Sequence, residues 1–356
     1  MTALNNRIFY ACQAVVITKT GHMPDTTGIG NNLSVLRGVQ SVGITSNFTL
    51  DQAFELGQID IYENSEEIAD IEVTIEKLID GHKLIYGSAC GQLIKTDMVG
   101  AGKGRADIYL GIYSDAVSEV AATAPIKVVM CSGMYVSSVS YTYPSDGNAT
   151  ESCSFVGNDK FWTDTTACGD DNASLAGGGV GKMNPSGFFN KPAAVLSGSD
   201  TPASGLVRRT NVDIANCTLP AAVKTQSSGA GGKSGGHHIV SMSASTDFGR
   251  ESIMELGKFG PYHRYAGFPV EVTSEFEVTA TSGDLINVSG THTNLGGGEQ
   301  ITLKDDAGTI IELGNKNKLS SVSYSGGDTG GGNSTVTYSY STFNHFNIGG
   351  GGTYWT

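Results

Sequence analysis

The stretch FTLDQAFELG at positions 48–57 returns two hundred residues later as FGRESIMELG at 248–257. Both open on Phe and close on Glu-Leu-Gly at one spacing, Phe48 to Gly57 and Phe248 to Gly257. A segment written twice in one chain points to a duplicated unit, and the flanks extend the match. VQSVGITSN precedes Phe48 and IVSMSASTD precedes Phe248. Val42 and Ile44 share one face of the first, and Met242 and Ala244 stand at the same offsets in the second. Such period-two alternation marks a half-buried strand.

Downstream, IEVTIEKLID (71–80) and VEVTSEFEVT (270–279) repeat the pattern. Each sets an apolar face (Ile71, Val73, Ile75; Val272, Phe276, Val278) against a carboxylate-rich one (Glu72, Thr74, Glu76; Glu271, Thr273, Glu275). A third block closes each copy: YVSSVSYTYPSDGNATESCSFVGN (135–158) and KLSSVSYSGGDTGGGNSTVTYSYS (318–341). Both read as SSVSY, a Gly- and Asp-rich connection, and an alternating strand, which is a β-hairpin with a long turn. Within each unit the opening stretch itself reads as a short helix. Thr49 suits its N-cap with Gln52 three residues on, and Gly57 and Gly257 suit the left-handed stop.

The expected fold is therefore mainly β: two tandem β-sandwich or rolled-sheet domains, 1–162 and 206–356, each with one short flanking helix. Residues 163–205, rich in Gly, Ser and Asp, read as a linker or surface insertion between them. The N-terminal IFYACQAVVIT and the mid-chain VDIANCTLPAAV (212–223) look alike, which argues for a structural strand rather than a signal core.

Composition agrees with strands and turns. The chain has 356 residues, 49 of them Gly and only 9 Pro. Its 22 basic against 35 acidic residues give a net charge of −13, which argues against gripping nucleic acid or an anionic membrane. No apolar run is long enough to span a bilayer. The six cysteines are scattered without a CxxC pair, so reduced buried thiols are expected, a Cys153–Cys168 bridge being the exception kept open.

No catalytic, cofactor or metal site emerges. LAGGGVGKMN (175–184) lacks the Ser or Thr that a phosphate loop needs after Gly181-Lys182. His237 and His238 are adjacent, so on a strand they point to opposite faces, and no other His has ligand spacing. Ten carboxylates lie between Asp51 and Asp80, but they sit in alternating rows rather than in a pair with aromatic neighbours. No Ser sits in a GxSxG elbow. The chain reads as a non-enzyme that uses surfaces.

Three stretches carry a family likeness: SVGITSNFTLDQAFELGQIDIYENSEEIADIEVTIEKLIDG, SSVSYTYPSDGNATESCSFVGNDKFW and FGRESIMELGKFGPYHRYAGFPVEVTSEFEVTATSGD. They resemble the tail tube proteins of tailed bacteriophages. The resemblance implies a small β domain that assembles as sixfold rings, inner sheets joined into one barrel and rings stacked through a mobile loop or hairpin. It implies a virion tail location after assembly in the host cytoplasm. The implied partners are further copies, a sheath where the tail contracts, baseplate, tail terminator and tape measure, with DNA passing down the lumen. Two domains per chain would need only three chains per ring. Glu72, Thr74, Glu76, Glu271, Thr273 and Glu275 are then expected to face the lumen. The loops 19–32 (His22, Asp25) and 226–236 (Gly229) and the hairpin tips at Gly147 and Gly332 are expected to meet the next ring. The inner tube or hub of a phage-derived contractile injection particle, or a secreted two-domain β adhesin, are the alternatives.

Overall fold

The computed structural model describes residues 8, 10, 13–19, 33–90, 98–113, 127–164, 205–225, 238–258, 260–281, 283, 284, 286, 298–327, 329 and 331–349. The chain runs β1 (Gln13–Lys19), β2 (Leu33–Val35), β3 (Val39–Asn47), β4 (Leu50–Phe54), β5 (Ile61–Glu66) and β6 (Asp70–Leu78). Two short helices follow, α1 (Ile85–Cys90) and α2 (Met98–Gly102), then β7 (Arg105–Ile112), β8 (Lys127–Pro144), β9 (Thr150–Gly157) and β10 (Asp159–Asp164). A 3-10 turn (Arg209–Asn211) and α3 (Ala221–Thr225) lead to β11 (Ile239–Asp247), β12 (Arg250–Ile253), β13 (His263–Ala266) and β14 (Glu271–Thr279). The last strands are β15 (Thr302–Lys304), β16 (Ile310–Glu312), β17 (Lys318–Ser325), β18 (Thr335–Phe343) and β19 (Asn347–Gly349). The molecule is mainly β, as its alternating segments require.

One antiparallel row organises it: β3-β6-β9-β8-β11-β14-β18-β17. β8 is 18 residues long and serves two neighbourhoods. Its first half pairs with β7 and β10, and its second half with β9 and β11. The first four strands of the row and the last four follow one plan. Ser41 faces Glu76 as Ser241 faces Glu277, Glu72 faces Val156 as Thr273 faces Ser341, and Ser154 faces Ser138 as Ser339 faces Ser321. Even the irregularities recur, at Val39/Ser41 and Ile239/Ser241 and again at Val136/Ser138 and Leu319/Ser321.

The quoted ten-residue stretch is not a helix. Residues 50–54 pair with 61–66 as a hairpin, and 250–253 pair with 263–266 as another. Gln58 N donates to Glu55 O and Lys258 N to Glu255 O, both at 3.2 Å, while Gly57 (φ 96°) and Gly257 (φ 80°) supply the left-handed turn. The apolar residues explain the outcome. Phe48, Leu50, Phe54 and Leu56 fall on even positions, a period of two, which makes no helical stripe. An eight-residue helix with no face to bury has nothing to hold it. The helices stand elsewhere, and α1 is buried along its whole length. The segment 212–223 is likewise not a strand. It makes isolated bridges at Val212 and Thr218 and then enters α3, while its lookalike forms β1 from Gln13.

Both halves share a continuous core, running from Val73 and Phe155 through Tyr141 and Met242 to Phe276, Tyr338 and Phe346. Tyr86 of α1 stacks on Phe248 and meets Phe346 edge-on, so the first half's helix packs on second-half rings. Register also fixes the two ends of the row. Asp70, Gly157, Ser138, Asp247, Glu271 and Phe343 lie at one rim, and both hairpin arms (48–67 and 248–267) leave from it. Leu78, Thr150, Pro144, Ser241, Thr279 and Thr335 lie at the other, which carries the 145–149 and 326–334 turns. Nine-residue strands at ~3.3 Å per residue put the rims roughly 30 Å apart.

Candidate assembly surfaces

The row has one covered face and one open face, set by the alternation within each strand. On β6, Ile71, Val73 and Ile75 are buried, and Glu72, Thr74 and Glu76 point the other way. On β14, Val272, Phe276 and Val278 are buried, and Glu271, Thr273, Glu275 and Glu277 share the open side. All six residues singled out from the sequence thus occupy one surface. The repeat relates them with a shift, however: Glu72, Thr74 and Glu76 match Thr273, Glu275 and Glu277 through their partners on β3 and β11. Between the two glutamate rows lie hydroxyls, Ser152 and Ser154 on β9, Ser138 and Ser140 on β8, Ser243 and Ser245 on β11. These lie flat and pair across strands, Thr74 with Ser154 at 3.3 Å and Ser245 with Thr273 at 2.9 Å. Ser41 donates to Glu76, Ser241 to Glu277 and Ser339 to Glu275, which fixes the carboxylates without neutralising them. The result is a short-haired, anionic, hydroxyl-coated surface.

The second surface is the pair of outer strands, β3 and β17, each paired on one side only among the described residues. Each has a counterpart inside the chain, where β8 and β11 meet. There Ala244 lies opposite Tyr141 and Thr246 opposite Val139. Tyr141 and Ala244 are both fully buried in that joint. The repeat places Tyr324 where Tyr141 stands and Phe48 where Phe248 stands. Phe248 is 0% exposed but Phe48 65%, and Tyr141 is 0% exposed but Tyr324 53%. The same residue types are therefore core at the inner joint and surface at the outer edges. Among the described residues β3 pairs with β6 alone, so its outer side, with half-buried Val42 and Ile44, brings backbone groups and apolar side chains together, a template for another strand.

Two arginines of the second arm close the inner joint. Arg250 donates to Val136 O (2.7 Å) and to Gly102 O, and lies over the Tyr135 and Phe248 rings at 5.2 and 5.1 Å. Burial without a carboxylate pushes its pKa down to about 10. Arg264 pairs with Asp70 and Asn158 of the first half. Tyr135 hydrogen-bonds His263 at 2.8 Å, whose pKa is lowered by burial first and then by Arg105, Arg250 and Lys103. None of these roles was visible in the sequence. The one signal was asymmetry, since Arg250 takes the place of Leu50.

The arms themselves form a third surface. On the first, Phe54 is 66% exposed and Leu56 and Ile59 at the tip are wholly so; on the second, Leu256 is wholly exposed and Met254 59%. Runs of exposed apolar side chains on projecting hairpins mark contact sites.

Buried polar groups beneath the open face have structural partners. Glu151 accepts from Ile85 N (2.7 Å), Tyr86 N (3.0 Å) and Tyr141 OH (2.7 Å), which anchors α1 to the sheet. Burial still outweighs these donors and raises its pKa. Lys77, on the apolar face of β6, is buried against Asp80 at 2.5 Å. Cys90, Cys131, Cys153 and Cys217 are buried and in no disulfide, so Cys153 forms no bridge; Cys12 and Cys168 fall outside the described residues. Among the described residues no group of three or more metal-type ligands occurs, and no helix is long and apolar enough to cross a membrane.

Of the expected inter-ring residues, His22, Asp25 and Gly229 lie outside the described residues, as does almost all of the 163–205 insertion. Gly147 (φ 110°) and Gly332 are turn residues at the rim opposite the arms.

No family model and no curated protein matches the chain. Among solved structures it is similar to a chain of the anti-feeding prophage tube-terminating cap, at 13% identity and TM-score 0.31, covering 46% of this chain and 95% of that one. It is also similar to a chain of the sheath-tube complex of an extracellular contractile injection system in the extended state, at 12% identity and TM-score 0.31, over 46% and 95%. A third likeness is to the virion of a native gene transfer agent particle, at 8% identity and TM-score 0.27, over 42% and 95%. At these TM-scores the likeness carries no argument.

Proposed function

We propose that this chain is a structural tail protein that polymerises through its sheet edges into rings and stacks them into a tube, the conduit for a genome. One observation carries the reading: side chains buried at the inner β8–β11 joint are exposed at the equivalent β3 and β17 edges. A chain that contains one copy of a joint and both halves of another is built to repeat it. Transferring the inner register sets Ile44 opposite Tyr324 and Ser46 opposite Val322 of the neighbouring chain. Such a contact is heterologous and closes into a ring when the rotation allows.

The halves are a tandem duplication, so three chains per ring supply a pseudo-sixfold wall. Covalent linkage makes half of the joints intramolecular and lowers the cost of closure. The open face lines the lumen. Its flat hydroxyls offer no side chain to catch a duplex, and Glu72, Glu76, Glu275 and Glu277 repel phosphate, where a basic wall would hold it by counterion release. The chain does no covalent chemistry in this role. An injection-particle tube would use the same joint and stacking.

Electron microscopy of the full-length protein beside an Ile44→Asp variant tests the reading. Wild type should give rings or tubes, and the variant should stay a folded monomer, because an unpaired carboxylate in the joint costs several kcal/mol, on the order of 3–5. Rings of unchanged shape from the variant would refute the edge-to-edge contact.

A further inference from the structure

We propose that the acidic arm 48–67 of one copy docks the carboxylates beside its tip into the arginine cleft formed by residues 145–148 and 208–210 of a second copy in the adjoining layer. The inference rests on the stacked-ring reading and adds which surfaces meet.

Three observations lead to it. First, the arm and the cleft lie at opposite rims of the same sheet. Asn148 bridges Arg208, and Val207 hydrogen-bonds Ile79 O, which places the cleft beyond the far end of β6. Surfaces at opposite rims meet only head to tail between molecules, which is the contact that grows a filament.

Second, the charges are complementary and unused. The arm holds six carboxylates (Asp51, Glu55, Asp60, Glu63, Glu66, Glu67) and no Lys or Arg. Among the described residues none of the six makes an ion pair. The cleft, about 480 Å³, exposes Arg208 and Arg209, and these also make no ion pair among the described residues. The Arg208 guanidinium hydrogen-bonds Asn148 at 3.0 Å, and Asp146 is the one acid among the described residues of the cleft.

Third, two of the carboxylates stand where the arm projects furthest. Leu56 and Ile59 are fully exposed and stand between Glu55 and Asp60. The cleft is lined by polar and charged residues and glycine, so Glu55 and Asp60 supply the contact to its guanidinium groups, and the charges give the choice of partner. That choice matters because the second arm differs. It carries Arg250, Lys258 and Arg264. The two arms are therefore not interchangeable, and the acidic one keys each layer to the arginine cleft of the chain above or below it. Neighbouring layers would then have threefold rather than sixfold freedom of registry.

A charge swap in the full-length chain tests this. Glu55→Lys with Asp60→Lys changes the arm, Arg208→Glu with Arg209→Glu the cleft, and a third chain carries all four. Tube length is read by electron microscopy and layer formation by sedimentation at low and high salt. Unfolding midpoints show that each chain is folded, and Arg209→Glu alone serves if the cleft pair misfolds. Either single-sided chain should stop at single rings with at least about a tenfold loss of tubes, and the four-fold variant should recover most of that loss. Wild-type tube length in the arm variant, or no recovery in the combined chain, would overturn the pairing. If wild type makes no rings, the ring reading fails on its own. The pairing is then read from salt-sensitive self-association, which either variant should abolish, and a wild type monomeric at every salt concentration would overturn it too.

Discussion

The inner joint and the outer edges are built from the same words and differ in what covers them. At the joint, Phe248 is sealed under Arg250 and against Tyr86, and Tyr141 sits in the core beside Phe346. At the edges, Phe48 and Tyr324 stand in water, and Leu50 occupies the place of the clamping arginine. Burial here follows position in the row, because β8 and β11 each have a neighbour on both sides whereas, among the described residues, β3 and β17 have one. The arginine difference adds a direction. The inner joint is locked by donors to Val136 O and Gly102 O, whereas Leu50 beside β3 offers no such donors.

The largest effect that could break this comparison is on assembly. Ile44→Asp should abolish rings and, because Ile44 is half-buried against the core, lower the urea midpoint of the monomer without unfolding it. Truncating the paired phenylalanines should separate folding from assembly. Phe248→Ala should cost about 3–5 kcal/mol of stability. Phe48→Ala should cost less than about 0.5 kcal/mol in the isolated chain, yet weaken ring formation in sedimentation. Equal destabilisation by the two would erase the distinction between joint and edge. Arg250→Ala should cost on the order of 2–3 kcal/mol, since it strands two carbonyls and loses the stacking on Tyr135 and Phe248. Leu50→Ala should leave denaturation curves in place.

A smaller effect concerns pH. The Glu151 pKa is raised in the folded state, so its contribution to stability is complete below the unfolded carboxylate pKa near 4.5 and declines as pH rises through the folded value. Glu151→Gln should flatten that part of the stability-versus-pH curve, leaving the part due to Asp159 and Asp305, whose pKa values burial also raises. An unchanged curve would remove Glu151 from the account. On the open face, Glu72→Lys with Glu275→Lys should leave ring formation intact and create salt-sensitive DNA binding in a filter assay. Absence of such binding would argue that this face does not meet DNA.

Much of the row was legible, because alternation is a local signal and duplicated alternation is a stronger one. Val42, Ile44, Met242 and Ala244 were placed on their faces by parity alone. The open-face glutamates followed from the same rule. The helix expectation for the arm fails because Thr49, Gln52 and Gly57 offer valid helix punctuation, whereas its apolar residues repeat with period two. The clamp could not be read, since Arg250 and Gly102 are far apart in sequence and meet only once β8 and β11 pair. Lys77 was hidden for a similar reason. Nothing local says that a lysine on an apolar face will find Asp80 in the following turn.

The most direct test is native mass spectrometry of the full-length protein with electron microscopy of the same sample. The account predicts rings of three chains, with six lobes around a central lumen, alone or stacked. A closed dimer, or a ring whose lobes equal its chains in number, would contradict the claim that each chain holds one joint complete and another in halves.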